Sequence, residues 1–336
     1  MKAVAFTHSR PVSDIDALID VELAVPVPRH HDLLVEVKAV SVNPVDTKIR
    51  RGNEPLGEPR VLGFDAAGVV RAIGPDVQNF SVGDEVYYAG VPDRPGANAE
   101  FHLVDDRIVG HKPRSLGFAE AAALPLTALT AWEMLFDRFK IPRDQMASGV
   151  LLIVGAAGGV GSIAVQLAAE LTDMTVVATA SREETVAWCR EMGAHHVINH
   201  HQDMAAQLRD LGLPAPDYVF CVSHERVHFK KLCELLAPEG AIGIIESGGG
   251  PVDISTLMKK SGTLHTEYVF ARGMLAPPSI SAQHRTLEAL AHLVDTHVLK
   301  GTMTANFGVI NAANLRRAHE AIEAGSVRGK IVLEGF

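Results

Sequence analysis

The chain has 336 residues, of which 47% are hydrophobic and 21% charged, and at roughly 100–200 residues per domain this length favours two domains. The composition is ordinary for a globular protein and too apolar for a disordered one. The formal net charge is −9 and aromatic residues are only 5%. Both values argue against a protein that neutralises many nucleic-acid phosphates or stacks on bases.

Neither the cysteines nor the apolar segments indicate a secreted or membrane protein. The three cysteines, Cys189, Cys221 and Cys233, are odd in number and lack a C-x-x-C spacing. A disulfide framework and a four-cysteine zinc site are therefore excluded. The N-terminus has no long apolar region of a signal peptide, and the glycine-rich stretch 149–171 is better explained by a strand, a turn and a helix than by a membrane span. We expect a cytoplasmic protein with no membrane or nucleic-acid partner.

The first 128 residues predict a mainly β domain. Apolar and polar residues alternate over 33–42, 67–73 and 84–89, and turn signals such as Asn43-Pro44 and Gly74-Pro75 separate these runs. Short strands at this spacing are typical of sandwiches and barrels. A partly closed barrel is expected.

Residues 129–271 have a different texture, in which continuously apolar runs alternate with helical segments. This alternation predicts a parallel sheet covered by helices on both faces. The predicted strands are 150–154, 175–180, 197–199, 217–221, 241–245 and 265–270, and the predicted helices are 162–171, 183–192, 204–211 and 226–236.

The segment from residue 272 to 336 is mostly helical. Apolar residues recur at helical spacing over 287–298, and a second helix is predicted between an Asn311 cap and a Gly325 stop. The run 331–333 predicts a last strand.

The strongest chemical signal is the segment Gly155-Ala-Ala-Gly-Gly-Val-Gly161, which follows the strand 150–154 and precedes a helix. A tight turn after a strand requires small residues, and the amides and dipole at the helix start favour a pyrophosphate. Gly161 would let the helix pack closely against the strand. This context predicts a site for a nicotinamide dinucleotide. Its predicted contacts are Ala157, Gly158, Gly159, Val160 and Gly161.

The end of the second predicted strand indicates which dinucleotide binds. An NAD site places Asp or Glu there, about 20 residues on, to hold the ribose 2′-hydroxyl. This chain has Ser181 and Arg182 instead, a hydroxyl donor and a charged fork that suit a 2′-phosphate. The alternative is that Glu183 or Glu184 holds the ribose, although both are placed to interact with the next helix start. NADP is favoured.

Five segments occur in the order seen in the medium-chain dehydrogenase/reductase superfamily, and the resemblance covers the whole chain. It is strongest to the zinc-free quinone oxidoreductase branch, including proteins called zinc-binding alcohol dehydrogenase-like. The family implies a GroES-like catalytic domain, here 1–128 and 272–336, with a Rossmann domain inserted at 129–271. The segments are SVNPVDTKIRRG (41–52), GFDAAGVV (63–70), VGDEVY (82–87), AAALPLTALTAWE (121–133) and the AAGGVG turn.

The motifs that carry zinc in related enzymes are altered. Those enzymes have a cysteine where 43–45 stand and Gly-His-Glu where Gly63, Phe64 and Asp65 stand. Catalytic zinc needs three protein ligands, and no thiolate or imidazole remains at these motifs. The pairs His195-His196 and His200-His201 leave a metal site open, but they flank opposite ends of a predicted strand and are better explained as loop histidines.

The resemblance also assigns residues to the substrate and cofactor. Asn43 and Asp46 match an N-x-x-D signature near the substrate, although Asn43-Pro44 is also a turn signal and Asp46 could cap the helix that follows. Thr130 matches a threonine facing the nicotinamide, with a hydroxyl bond inside its own helix as the alternative. His200 stands where similar reductases have a tyrosine that reaches the adenosine phosphate.

Three further cofactor residues are predicted. Ser247 and Phe270 are expected at the carboxyl ends of the last two Rossmann strands, where open sheets bind ligands. Lys330 matches a family lysine near the cofactor, with a surface charge as the alternative.

Together these features predict a zinc-free, NADPH-dependent reductase that transfers hydride to a quinone or an α,β-unsaturated carbonyl, a small hydrophobic substrate. The alternatives are an NADPH-binding sensor or scaffold without turnover and, less favoured, a zinc-dependent alcohol dehydrogenase. In similar reductases the last Rossmann strand pairs with its own copy. We therefore expect a homodimer through the edge strand 265–270, since an open edge is normally paired or covered.

Overall fold

The protein is described by a computed structural model over residues 1–52, 58–143, 148–246 and 251–336. The chain forms two compact units. Unit 1 comprises Met1–Leu126 and Phe270–Phe336, and unit 2 comprises Thr127–Val269. The predicted boundaries at 128/129 and 271/272 lie two residues beyond these divisions.

The described residues contain both strands and helices throughout. The strands are β1 (Lys2–Phe6), β2 (Ile19–Glu22), β3 (Asp32–Ser41), β4 (Arg60–Val61), β5 (Asp65–Ile73), β6 (Glu85–Ala89), β7 (Phe101–Asp105), β8 (Val109–His111), β9 (Ser148–Val154), β10 (Asp173–Thr179), β11 (His196–Ile198), β12 (Tyr218–Cys221), β13 (Ala241–Ile244), β14 (Thr263–Thr266), β15 (Met303–Asn306) and β16 (Lys330–Glu334). The α-helices are α1 (Pro44–Gly52), α2 (Phe118–Ala122), α3 (Pro125–Trp132), α4 (Gly159–Leu171), α5 (Glu183–Glu191), α6 (Met204–Asp210), α7 (Glu225–Leu235), α8 (Ser255–Lys259), α9 (Ala271–Leu275), α10 (Ala282–Asp295) and α11 (Ala312–Glu323).

Unit 1 is built on a seven-stranded sheet in the order β15-β16-β3-β5-β6-β8, with β7 also paired to β3. One edge of the long strand β3 is shared: its first half pairs with β7, and its end pairs antiparallel with the C-terminal strand β16. Val332 lies opposite Ser41 in that pairing. Both ends of the chain therefore build one mainly β unit, as predicted, and a three-stranded sheet β2-β1-β4 accompanies it.

Unit 2 is a six-stranded parallel sheet in the order β11-β10-β9-β12-β13-β14. Strands β9, β10, β12 and β13 are mostly buried and rich in apolar residues, as expected for parallel strands covered on both faces. Side chains of α6 and α7 complete the core on one face, among them Met204, Leu208, Phe229 and Leu232. The strand order reverses between β9 and β12, the point at which doubly wound sheets bind ligands beyond their carboxyl ends.

The sequence prediction was wrong about the last strand of this sheet. The strand is Thr263–Thr266, not 265–270. Tyr268 and Val269 follow it outside any strand, and Phe270 precedes α9 in unit 1. The run Tyr268-Val269-Phe270 has strand-like composition, but the pairing with β13 ends where Thr266 lies opposite Ile244.

The helix ends follow the predicted chemistry. The Asn311 side chain caps α11 by accepting a hydrogen bond from Asn314 N at 2.8 Å, as an N-cap residue does. Gly193 has a φ of +100° directly after α5, and Gly325 has +65° after α11, the left-handed conformation that ends many helices. None of the helices in the described parts of the chain combines the length and apolar character that a membrane crossing requires.

Candidate functional site

The glycine-rich turn of unit 2 connects β9 to α4. Gly155 has a φ of +82°, and an added Cβ there would lie 2.5 Å from Ser223 Oγ. A Cβ on Gly161 would lie 2.5 Å from Ala156 Cα. Gly161 is therefore required for packing, but the backbone it approaches is that of the turn rather than that of the strand.

The same turn offers donors to an anion. The first i→i−4 hydrogen bond of α4 is donated by Ser162 N to Gly158 O at 2.9 Å, so the N–H groups of Gly159, Val160 and Gly161 precede the helical ladder. Among the described residues, an added Cβ on Gly158 would meet only Gly155 O within 4 Å, at 3.6 Å. The turn is thus open beside the helix start, the arrangement that admits a pyrophosphate.

Ser181 and Arg182 lie directly beyond β10, at the carboxyl edge of the sheet. Arg182 is the N-cap residue of α5, and Glu183 and Glu184 occupy the first turn, as expected for helix-start carboxylates. The Arg182 guanidinium lies 3.4 Å from Glu184 Oε1, and both side chains are largely exposed. The Arg182 guanidinium is therefore accessible to solvent at the predicted binding position of a 2′-phosphate.

In unit 1, Lys330 lies at the centre of a buried polar cluster with Asn43 and Asp65. It is 3% exposed, and its Nζ donates to Val42 O at 3.1 Å, to Asp65 Oδ2 at 3.0 Å and to Asn43 Oδ1. These bonds use the three donors of an ammonium group. The alternative of a surface charge is wrong. In this conformation its three donors are used within the cluster, and the predicted cofactor contact of Lys330 stays a prediction.

Asn43 is held on both ends of its amide. Its Oδ1 accepts from Lys330, and its Nδ2 donates to Asp65 Oδ2 at 2.8 Å. Asp65, which is fully buried, also accepts from Leu126 N at 2.7 Å through Oδ1. Asn43 is 1% exposed. In this conformation the amide orients Lys330 and Asp65 and does not present a donor to a substrate.

Asp46 lies in the first turn of α1 and is equally buried. Its Oδ2 accepts from Asn43 N at 2.7 Å, and its Oδ1 accepts from Gly63 N at 3.1 Å. Asp46 therefore caps backbone N–H groups from within the helix, and it also ties α1 to the segment before β5. Burial raises the pKa of its carboxyl to about 7, against the opposing effect of the backbone donor Asn43 and of Lys330.

The other predicted residues are placed as follows. Thr130 is buried in α3. Phe270, predicted in unit 2, belongs to unit 1, where its ring lies 5.2 Å from that of Phe64 between centroids. Phe64 holds the position of the zinc enzymes' histidine. Ser247 lies outside the described residues.

The two histidine pairs are divided between the ends of β11, as predicted. His195 Nδ1 accepts from Val176 N at 2.9 Å, which ties that ring to β10, while His200 and His201 lie in the turn after β11. In the parts of the chain that the structure describes, no three His, Cys, Asp or Glu side chains are arranged to hold a metal ion.

Sequence reasoning missed the partners that complete these sites. Asp65 was noted only as part of an altered zinc motif, and its contact with Lys330 spans 265 residues. The approach of His228 on α7 to His200 was also missed. No local pattern signals either contact, because each depends on strand order.

Comparison with known proteins supplies independent information. Residues 29–132 match the alcohol dehydrogenase GroES-like domain, and residues 159–279 match the zinc-binding dehydrogenase family. A zinc-type alcohol dehydrogenase-like protein of Staphylococcus aureus (strain MSSA476) is 41% identical over 336 residues, 99% of each chain.

Two solved structures extend the comparison. A protein of Rhizobium etli CFN 42, assigned as a zinc-dependent alcohol dehydrogenase, is 51% identical with a TM-score of 0.96, over 100% of this chain and 98% of that one. The quinone oxidoreductase of Escherichia coli, complexed with NADPH, is 26% identical with a TM-score of 0.84 over 100% of both chains.

Proposed function

This chain belongs to the medium-chain dehydrogenase/reductase superfamily and is an oxidoreductase of that family, and we propose that it is a zinc-independent reductase that uses NADPH to reduce quinones or α,β-unsaturated carbonyl compounds. The similarity to a quinone oxidoreductase crystallised with NADPH supports this assignment. The names of the more similar relatives favour zinc instead. The chemistry of the residues at the altered zinc motifs supports the zinc-independent alternative.

One observation carries the proposal: an ammonium group is bonded to one residue from each of the two altered zinc motifs. Lys330 donates to Asn43 Oδ1 and to Asp65 Oδ2. The oxygens that a metal could use are thus already saturated by a buried cation. Binding Zn²⁺ there would require either two cations side by side or the expulsion of Lys330, and an unpaired buried carboxylate or ammonium costs several kcal/mol, about 3–5 when one partner is removed.

The residue at the position of the zinc enzymes' histidine supports the same conclusion. Phe64, which stands where the zinc enzymes have histidine, offers no donor atom and stacks near Phe270. Zinc in proteins is bound by Cys, His, Asp and Glu. An asparagine, a phenylalanine and an aspartate already paired with lysine are a poor zinc set.

The substrate class follows from the absence of a Lewis acid in this scheme. When bound, the dinucleotide supplies a hydride. An isolated carbonyl needs strong stabilisation of the developing oxyanion, whereas conjugation in a quinone or enone spreads that charge. The product oxygen then takes its proton from solvent. In this scheme Asn43, Asp46, Asp65 and Lys330 are positioning residues that fix α1 and the start of β5.

The choice of NADPH rests on the edge of unit 2. The amides of Gly159, Val160 and Gly161 would bind the pyrophosphate, and Ser181 with Arg182 would bind the 2′-phosphate. His200 is a third candidate contact. The roles predicted for Thr130, Phe270 and Ser247 stay predictions.

We also propose a homodimer formed through β14. This strand is the last of its sheet, and unpaired strand edges are normally paired or covered. Thr263 N donates to Gly240 O, directly before β13, and Glu267 N donates to Ile244 O, at the end of β13. Because successive N–H groups of a strand point to opposite sides, those of Leu264 and Thr266 point to the free edge of the sheet, where a second copy would pair.

Two steady-state assays test the function. Oxidation of NADPH and of NADH is measured with a panel of quinones and enones, and reduction of NADP is measured with simple alcohols. We expect turnover with quinones or enones, a preference for NADPH and no alcohol oxidation. Alcohol oxidation that requires zinc would contradict the proposal. Tight NADPH binding without any turnover would favour a sensor.

A further inference from the structure

Four histidines that are distant in sequence meet in unit 2. His200 and His201 occupy the turn after β11, while His224 precedes α7 and His228 lies one turn into it. The His200 ring lies 4.3 Å from that of His201 and 5.9 Å from that of His228, between centroids. His224 is the N-cap residue of α7 with a left-handed backbone, and its charge helps to lower the pKa of both His200 and His228. We refer to these four residues as the histidine cluster.

One atom of the histidine cluster is unused. Among the described residues, His200 Nδ1 is buried and has no hydrogen-bond partner. Buried polar atoms are nearly always paired, and an exception calls for an explanation such as a ligand. This nitrogen is the observation that points to a missing partner.

The position of the histidine cluster identifies what that partner is. β10 and β11 are parallel, with Thr179 opposite Ile198, and Ala180 N continues the ladder by donating to Ile198 O at 3.0 Å. Ser181 and His200 therefore each lie two residues beyond the last paired residue of neighbouring parallel strands, at the same carboxyl edge of the sheet. The histidine cluster therefore lies at the same sheet edge as Ser181 and Arg182, which are proposed to bind the ribose 2′-phosphate.

The charges around the histidine cluster suit an anion. Burial lowers the pKa of His200, followed by the effects of His201, His228 and His224. Burial also lowers the pKa of His228, followed by the effects of His224, Lys231 and His201. All of these neighbours are bases, and Arg182 adds a cation three residues beyond the end of β10. Both shifts favour the neutral rings, and an anion bound beside them would favour the protonated form instead.

We propose that the histidine cluster forms part of the 2′-phosphate site and takes up a proton when NADPH binds. The phosphate carries a charge of about −1.5 to −2 at pH 7, and a protonated ring donates a charge-assisted hydrogen bond to its oxygens. NADH lacks this phosphate and gains nothing from the proton. The inference rests on the proposed use of NADPH, and it makes cofactor preference depend on pH.

The sign of the effect follows from proton linkage. A group whose pKa rises on binding strengthens binding as pH falls, by at most about tenfold per pH unit for one proton. The phosphate's own second pKa, about 6, acts in the opposite direction below that pH. The window from pH 8.0 to 6.5 therefore isolates the contribution of the histidines.

The test is the dissociation constant of NADPH and of NADH for the full chain at pH 6.5 and 8.0. Calorimetry in two buffers of different ionisation enthalpy counts the protons taken up. We expect NADPH to bind roughly three- to tenfold more tightly at pH 6.5 with net proton uptake, and NADH to show neither effect. His200→Gln, His228→Gln and the exposed His201→Gln should each flatten the NADPH profile. His292→Gln, at an exposed position on α10, is the matched control and should leave the profile unchanged.

Two results would overturn the inference in different ways. A preference for NADPH whose pH profile is flat, or survives all three variants, would remove the histidine cluster from the site while leaving the proposed cofactor intact. Equal affinity for NADPH and NADH at both pH values would refute the proposed cofactor itself.

Discussion

Lys330→Met tests whether the buried ammonium group stabilises the fold by pairing with Asp65. The substitution keeps an unbranched side chain but removes the three hydrogen bonds to Val42, Asn43 and Asp65. Asp65, at 0% exposure, would keep Asn43 Nδ2 and Leu126 N as donors but lose its only described cation. Removing one partner of a buried ion pair typically costs about 3–5 kcal/mol.

A double-mutant cycle separates the charge effect from packing. Asp65→Asn alone should also destabilise, because it leaves the ammonium buried without its counter-ion. The pair Lys330→Met with Asp65→Asn contains neither charge and should recover at least about 2 kcal/mol relative to the sum of the single variants. The free energy of unfolding from urea titrations at pH 8, followed by circular dichroism, gives each value.

The matched control is Lys259→Met, at an exposed position on α8, which should change stability by less than about 0.5 kcal/mol. A Lys330→Met variant that loses no more than the control would refute the reasoning. So would additive single substitutions, because they would show that the two charges do not interact.

Three further predictions concern cofactor, pH and assembly. Arg182→Ala should raise the NADPH dissociation constant about tenfold or more, from loss of roughly 1.5–3 kcal/mol, and leave NADH nearly unchanged; equal losses would assign Arg182 to the fold. Because the pKa of Asp46 is raised to about 7, the native chain holds a proton that the unfolded chain releases. The stability from this group is present below pH 4 and is lost as pH rises to about 7. Asp46→Asn should remove that loss, worth about 2–3 kcal/mol between pH 5 and 8. The variant must be compared with the unmodified chain at each pH, because burial also lowers the pKa of His102 to about 4 and of His319 to about 3. These two shifts reduce stability as pH falls, opposite to the effect of Asp46. A difference in stability that does not depend on pH would contradict the prediction. Light scattering should give twice 36.0 kDa, and Thr266→Pro, which removes an outward N–H without touching the β13 ladder, should give monomers; a monomeric unmodified chain would refute the dimer.

The sequence predicted the architecture because the fold depends on local patterns. Buried parallel strands read as apolar runs, and the glycine turn could be placed between β9 and α4 without knowing any distant contact. The exception was the last Rossmann strand, where Tyr268, Val269 and Phe270 have strand-forming side chains but leave the sheet. Where pairing ends depends on the length of β13, which composition does not encode.

The contacts made by the site residues were harder to predict from the sequence. Asn43, Asp46 and Lys330 were identified through resemblance. The structure adds that all three are buried, and the roles predicted for them stay predictions. A buried amide that bridges Lys330 and Asp65 cannot be told from a substrate-facing one by sequence, because all three residue types are polar. The histidine cluster likewise depends on α7 packing beside the turn after β11, which joins residues from separate βα units.

The central claim is tested most directly by measuring metal content and turnover on the same purified protein before and after exhaustive chelation. The account predicts substoichiometric zinc throughout, and NADPH-dependent reduction of a quinone or enone at an unchanged rate after chelation. One zinc ion per chain, whose removal abolishes turnover and whose return restores it, would contradict the account.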